Sequence, residues 1–250
     1  ELKYDNSISF DGISLKSYLT GARKEKIERI LVTDSQRIDH PLKWRKSATM
    51  KDNWRLVNGK ELYNIQTDPG QQLDVAQEHQ DVVQELRKGY EKWWESVSER
   101  FDEYCPIIIG SNDQNPTCLM SHDIHGKVVW NHEQVKEADR SDGFWAVLVA
   151  QDGEYEFRLR RWPAEVDKPI TSQLSIHKHE PEDNHMSATT ARLKIAGYDL
   201  SKPINPDDKE VTFRLNLKKG ETRAQAWFVN GMGDGQTHGV YYVYVERIDS

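Results

Sequence analysis

Apolar residues recur along this chain in two different rhythms. Between Asp81 and Phe101 they fall at Val82, Val83, Leu86, Tyr90, Trp93, Trp94 and Val97. Steps of mostly three and four predict one stripe of an amphipathic helix. Asp81 supplies negative charge near its start, and Gly89 sits inside it at a cost of about 1 kcal/mol against Ala. Ahead of the helix the pattern is short and β-like. Arg29–Thr33, Ala48–Met50, Trp54–Val57 and Glu61–Ile65 read as four strands. Lys51–Asn53 reads as a turn, as does Asp68-Pro69-Gly70 by composition. Asn58-Gly59 is a hairpin signal, because both residues tolerate positive φ. The expected product is a small antiparallel sheet covered on one face by the helix. Hairpin and helix should pack through Leu56, Leu62, Val83, Leu86, Trp93 and Trp94.

From about Cys105 the rhythm changes to period two. Trp145, Val147 and Val149 share one face of a strand, and Asp152-Gly153 turns the chain. Tyr155, Phe157 and Leu159 share one face of the next, with Glu154, Glu156, Arg158 and Arg160 opposite, where cross-strand ion pairs are expected. Leu193 and Ile195 follow, then Val211, Phe213, Leu215 and Leu217, then Ala224, Ala226 and Phe228. Tyr241, Val243 and Val245 close the series. Many short strands with Gly, Pro, Asn and Asp turns predict a sandwich or barrel, here a sandwich. The fold class is therefore α+β for residues 1–104, a small antiparallel sheet with a C-terminal helix, and an all-β, jelly-roll-like sandwich for residues 105–250. No internal repeat or low-complexity tract interrupts either.

Composition narrows this further. The 250 residues include 30% charged ones, and no apolar run approaches the ~20 residues of a membrane span. Eight Trp exclude a disordered chain, and a net charge of −7 argues against a dedicated nucleic-acid binder. Glu1–Phe10 resembles neither an initiator segment nor a signal peptide, so a piece of something longer is expected. Cys105 and Cys118 enclose a short loop. A bridge and two free thiols are both open, and no zinc spacing occurs. Residues 37–60 hold seven basic side chains and only two acidic ones in an otherwise acidic protein. This segment is either a solvated face or an anion-facing wall, since Arg offers oxyanions a bidentate fork.

Candidate chemistry is sparse. Gly231–Gly235 reads as a hairpin loop, and Asp234 with His238 in it is a weak metal pair. His122, Asp123, His125 and His132 form a denser cluster that could bind a transition metal or simply hydrogen-bond within a turn. His177, His179 and His185 read as solvent-exposed. Trp130, Trp145, Trp162 and Trp227 are candidates for a sugar-stacking platform. Of these, Trp145 has core parity, and Trp162, before Pro163, is expected at the surface.

Three ordered passages carry a family resemblance. Phe10-Asp-Gly-Ile-Ser-Leu15 with Leu19 and Gly21 resembles a passage of the type I, formylglycine-dependent sulfatases. So does the hairpin Trp54-Arg-Leu-Val-Asn-Gly-Lys-Glu-Leu-Tyr-Asn-Ile65. So does the run Asp68-Pro-Gly-Gln71, Asp74-Val-Ala76, His79 and Val82-Val83. The resemblance covers residues 10 to about 100 and implies the smaller C-terminal subdomain of such enzymes. Ile109-Gly-Ser111, His122-Asp123, Trp130, Gly143-Phe-Trp145 and Arg160-Arg-Trp-Pro163 look like a β-sandwich extension of some bacterial arylsulfatases. The resemblance implies a sulfuric ester hydrolase as parent, acting on aryl or carbohydrate sulfate in the periplasm or outside the cell. Its calcium and formylglycine would belong to an N-terminal catalytic domain that is the partner of this portion, with a sulfated glycan as a further partner.

The nucleophile sequence, Cys or Ser two before a Pro and Arg two after it, occurs at none of the nine Pro here. Ser201-Lys-Pro203-Ile-Asn205 lacks the Arg. No catalytic or metal-binding residue is therefore assigned, and these residues alone should be inactive. Within the resemblance, Lys43, Trp44 and Arg45 are the expected substrate-binding residues, steering an anion from the pocket wall. Alternatively, the sandwich is a carbohydrate-binding module.

Overall fold

The computed structural model describes residues 7, 10–25, 27–36, 38, 40–172, 186–230 and 237–248. The chain divides into two compact units, Glu1–Phe101 and Asp102–Ser250.

In the first unit a single helical turn, α1 (Lys16–Leu19), precedes four strands: β1 (Leu31–Asp34), β2 (Ser47–Lys51), β3 (Trp54–Val57) and β4 (Glu61–Asn64). They pair as an antiparallel meander in chain order. Val32 lies opposite Thr49, Thr49 opposite Leu56, and Leu56 opposite Leu62. The turns work as their composition requires, with positive φ at Asp52 (54°), Asn58 (49°) and Gly59 (67°). The long helix, α2 (Gln80–Ser98), then packs Val83 and Leu86 onto Leu56, Leu62 and Ala76. Gly89 has a reason to be in it: a Cβ there would meet Ile30 Cδ1 at 2.6 Å, so the glycine lets Ile30 lie against the helix backbone.

The buried part of the stripe ends at Tyr90. Trp93 and Trp94 are half-buried and lie outside the core cluster. They pack instead on Tyr90 (Trp93, ring centroids 5.4 Å) and Phe101 (Trp94, 5.2 Å). Dimensions explain this. Nineteen helical residues span about 28 Å, whereas strands of four or five residues span only about 13–17 Å. The last turns of α2 outrun the sheet.

Among its described residues the second unit is all-β apart from one short α-helix and a single 3-10 turn. Its elements are β5 (Ile107–Ile109), β6 (Thr117–Met120), α3 (His132–Lys136), β7 (Trp145–Val149), β8 (Gly153–Arg160), β9 (Thr190–Ile195), β10 (Tyr198–Pro203), β11 (Val211–Leu217), β12 (Gly220–Val229), β13 (Thr237–Gly239) and β14 (Tyr242–Ile248). One sheet runs β10-β9-β12-β7-β5, with β13 also on β12; the other runs β11-β8-β14-β6. From β5 to β9 successive strands alternate between the sheets, the winding of a jelly-roll-like sandwich. All neighbours are antiparallel except β5 and β7. The period-two residues fill the space between the sheets. Trp145, Val147, Tyr155, Phe157, Phe213, Phe228, Tyr241 and Val245 are all buried in one cluster.

On the outer face of the second sheet the charges of β8 pair across strands as expected. Arg214 of β11 meets Glu156 at 2.7 Å, and Arg158 lies 3.8 Å from Glu246 of β14 and 3.8 Å from Glu156 on its own strand. Trp162 differs from expectation: it is buried, not exposed. The segment around Pro169 folds over it and accepts a hydrogen bond from its Nε1 at 3.1 Å, while the Arg161 guanidinium stacks 4.4 Å from its ring. Cys105 and Cys118 are free thiols. Among the described residues no helix is long and apolar enough to cross a membrane.

Candidate functional site

The surface of the sandwich is shaped where β6 and β14 run out beside α3. Met120 and Tyr242 are cross-strand partners there. The chain then passes through a single 3-10 turn, Ser121–Asp123, pinned by Ser121 Oγ donating to the Val129 carbonyl at 2.8 Å. Trp130 follows, and its backbone is fixed by the start of α3. Asn131 caps the helix, its Oδ1 accepting from Gln134 N at 2.9 Å. Gln134 in turn accepts from Trp130 N at 2.9 Å through Oε1. This reciprocal capping holds the backbone of a Trp that is 57% exposed.

Trp130, Tyr242, His122, His132, Asn131 and Met120 line a depression of about 260 Å³. That is smaller than the ~300–1,000 Å³ of drug-sized pockets and suited to one ring. No carboxylate, Lys or Arg lines it. Burial pushes the Tyr242 phenol up from its ordinary range, so it stays a neutral hydrogen-bond donor. Trp145 Nε1 donates to the Met120 carbonyl at 2.7 Å and ties the floor to the core.

The sequence-derived His cluster is divided by the fold. His122 and His132 share this depression, whereas His125 lies against Tyr104 and Phe144 at centroid distances of 4.3 and 5.4 Å. No group of three or more metal-ligating side chains comes together among the described residues. The Gly231–Gly235 loop with Asp234, and His177, His179 and His185, lie outside the described residues. Of the four Trp proposed as a sugar platform, Trp145 and Trp162 are core, Trp227 is half-buried on the outer face of β12, and Trp130 is open. The sequence singled out Trp130 and the two His separately. Their juxtaposition with Tyr242, more than a hundred residues away, carried no sequence signal.

Lys43, Trp44 and Arg45 lie on the segment between β1 and β2. Trp44, at φ 67°, stacks on Tyr90 with centroids 3.8 Å apart, and its amide donates to Tyr90 Oη at 3.0 Å. Its other neighbour is Gly59, where a Cβ would meet the indole at 2.6 Å. Lys43 pairs with Glu91 on α2. Arg45 is half-buried, and its Nη1 is enclosed without a hydrogen-bond partner.

No protein-family model matches the chain, and no curated protein does. Among solved structures it is similar to a ruminal GH26 endo-β-1,4-mannanase, at 15% identity over 54% of this chain and 26% of that one, with a TM-score of 0.32. It is also similar to a family 35 carbohydrate-binding module from Clostridium thermocellum, at 8% identity over 52% of this chain and 98% of that one, with a TM-score of 0.29. The chain spans about a quarter of the mannanase's length.

Proposed function

We propose that the β-sandwich unit binds carbohydrate, with the Trp130 depression as a subsite for one uncharged sugar ring. The observation that carries this is an exposed Trp130, its backbone held by the capping of α3, beside the hydrogen-bonding side chains of Tyr242, His122 and His132. The electron-rich face of an indole attracts the weakly positive C–H face of a pyranose, and side-chain hydrogen bonds then select hydroxyl positions. Calorimetric titration of the whole chain with neutral oligomannosides, cello- and xylo-oligosaccharides tests it. A Kd on the order of 0.1–1 mM is expected for at least one of them, weakened at least tenfold by Trp130→Ala. Absence of binding across the panel, or binding indifferent to Trp130→Ala, would reject the subsite.

A second reading is favoured by the three sulfatase-like passages. The second of them coincides with hairpin β3–β4, and the third supplies the turn and lead-in to α2. In this reading the first unit is the C-terminal subdomain of an exported sulfatase, periplasmic or secreted. An N-terminal catalytic domain would be its partner, and Lys43 and Arg45 would steer a sulfated substrate from the pocket wall. The sandwich would then hold the glycan whose sulfate ester the parent cleaves. Arg45→Ala in the parent enzyme should raise KM for a sulfated sugar and less so for a small aryl sulfate, with the difference shrinking as salt is added. Equal kinetics on both substrates at low salt would reject the steering role.

A further inference from the structure

The outer face of the six-stranded sheet carries a second cluster, distinct in chemistry from the Trp130 depression. Along β12 the outward residues are Arg223, Gln225 and Trp227, alternating with buried Ala224, Ala226 and Phe228. Arg223 is exposed, and its guanidinium carbon lies 4.3 Å from the Phe144 ring centroid and 5.6 Å from that of Tyr104. His125 closes the group through a backbone bridge to Phe144. A guanidinium laid on aromatic faces uses its flat side for the cation–π contact. Its in-plane N–H groups, the ones that fork to oxyanions, are not consumed by that contact.

The other cations of this face share one carboxylate. Arg192, 5.8 Å from the Trp227 ring, donates twice to Asp199 at 2.6 and 2.7 Å, and Lys194 reaches the same carboxylate at 3.2 Å. Arg223 makes no ion pair among the described residues, although Glu221 shares its strand face. A lone, pre-oriented guanidinium framed by rings and followed at β-spacing by an amide and an indole is a matched set for one kind of ligand. The rings and Trp227 offer apolar faces to sugar rings, Gln225, whose Nε2 donates to the Gly143 carbonyl at 3.3 Å, offers its Oε1 as an acceptor, and Arg223 offers charge.

The geometry points to this face as a second saccharide site, one that takes a pyranose bearing an oxyanion, with Arg223 as the residue that reads the charge. Sulfate ester and uronate carboxylate share that chemistry. The inference does not rest on the Trp130 subsite, which no Lys or Arg lines.

The test titrates the whole chain with three size-matched oligosaccharides, one sulfated, one containing uronate and one neutral, at low salt and at 0.5 M NaCl. At least one anionic ligand is expected to bind more tightly than the neutral one, and the tighter of the two identifies the anion. Removing a charged hydrogen bond by Arg223→Gln should weaken that ligand roughly tenfold or more, while the neutral ligand is unaffected. Arg223→Lys should recover only part of the loss, because a point charge replaces a fork. Trp227→Ala, made independently, should weaken the anionic ligand without touching the Trp130 site. Anionic ligands bound no better than neutral ones, or unaffected by Arg223→Gln, would overturn the proposal. Loss of both ligand classes in Trp130→Ala alone would also overturn it, by assigning all binding to the depression. Failure of neutral binding with retention of Arg223-dependent binding would reject the Trp130 subsite and leave this one standing.

Discussion

A methyl group added at Gly59 would sit 2.6 Å from the Trp44 indole, on a backbone with φ 67°. Both faults act together: the left-handed conformation costs an L-residue about 1–2 kcal/mol, and the ring cannot retreat because it is stacked on Tyr90. Gly59→Ala should therefore destabilise the first unit by on the order of 2–4 kcal/mol, read as a shift in its urea midpoint. The cysteines make a second contrast between single residues. Burial pushes the Cys118 thiol up to about 11, and Cys105 is exposed. The thiolate is the nucleophile, so a disulfide reagent at pH 8 should modify one thiol quickly and the second only on unfolding. Cys105→Ser should remove the fast phase. Two fast thiols would mean that the β6–β14 surface opens. Asp199 adds a pH signature. Hydrogen bonds from Arg192, then Lys194, hold its carboxyl down at about 2. A depressed folded pKa stabilises at pH above the unfolded value of about 4 and is lost as pH falls toward 2. Asp199→Asn should accordingly flatten the acid limb of the stability profile between those values.

At the scale of elements, helix α2 separates what periodicity reveals from what it hides. The stripe from Val82 to Val97 was readable, but a stripe shows which side faces inward, not how far the opposing surface extends. Leu86 is fully buried, and Leu86→Ala should cost about 2–5 kcal/mol. Trp93 is half-buried beyond the end of the sheet, so Trp93→Ala should cost clearly less than the 3–5 kcal/mol of a fully buried aromatic. A larger loss at Trp93 than at Leu86 would reverse this ranking. The long strands of the sandwich were equally legible, because one face is core and alternation is strict. Tyr198–Pro203 was not: β10 is an edge strand with exposed or half-exposed residues throughout, and an edge has no face to betray. Ile107–Ile109 and Thr117–Met120 were too short to show a period. The binding surfaces escaped for a related reason. Trp130 was visible as a candidate, but its partner Tyr242 comes from the last strand. Phe144, His125 and Arg223 likewise meet only because β7 and β12 pair. The burial of Trp162 escapes the pattern because the segment that covers it, around Pro169 and the buried Ile170, is irregular and carries no period.

Across the whole molecule, stability should be divided as the cores are. Thirty buried apolar side chains join into one cluster in the second unit, against five in the cluster beneath α2, among the described residues. No residue belongs to both. Larger units bury a greater fraction of the surface that their unfolded chains expose, close to 70% near 150 residues and less near 100. The sandwich therefore has the greater margin over conformational entropy. Urea unfolding should resolve two transitions, with the sheet–helix unit leaving first and with the smaller denaturant dependence, since that slope follows the area exposed. Variants assign them. Leu86→Ala should move only the first midpoint, and Phe157→Ala, which empties a fully buried site between the sandwich sheets, only the second. Ligands then report function in the same experiment, because whatever binds the folded sandwich alone raises its midpoint in proportion to the logarithm of concentration over Kd. A neutral or anionic oligosaccharide at saturating concentration should raise the second transition and leave the first in place. A single transition displaced by both substitutions would show that the units unfold as one.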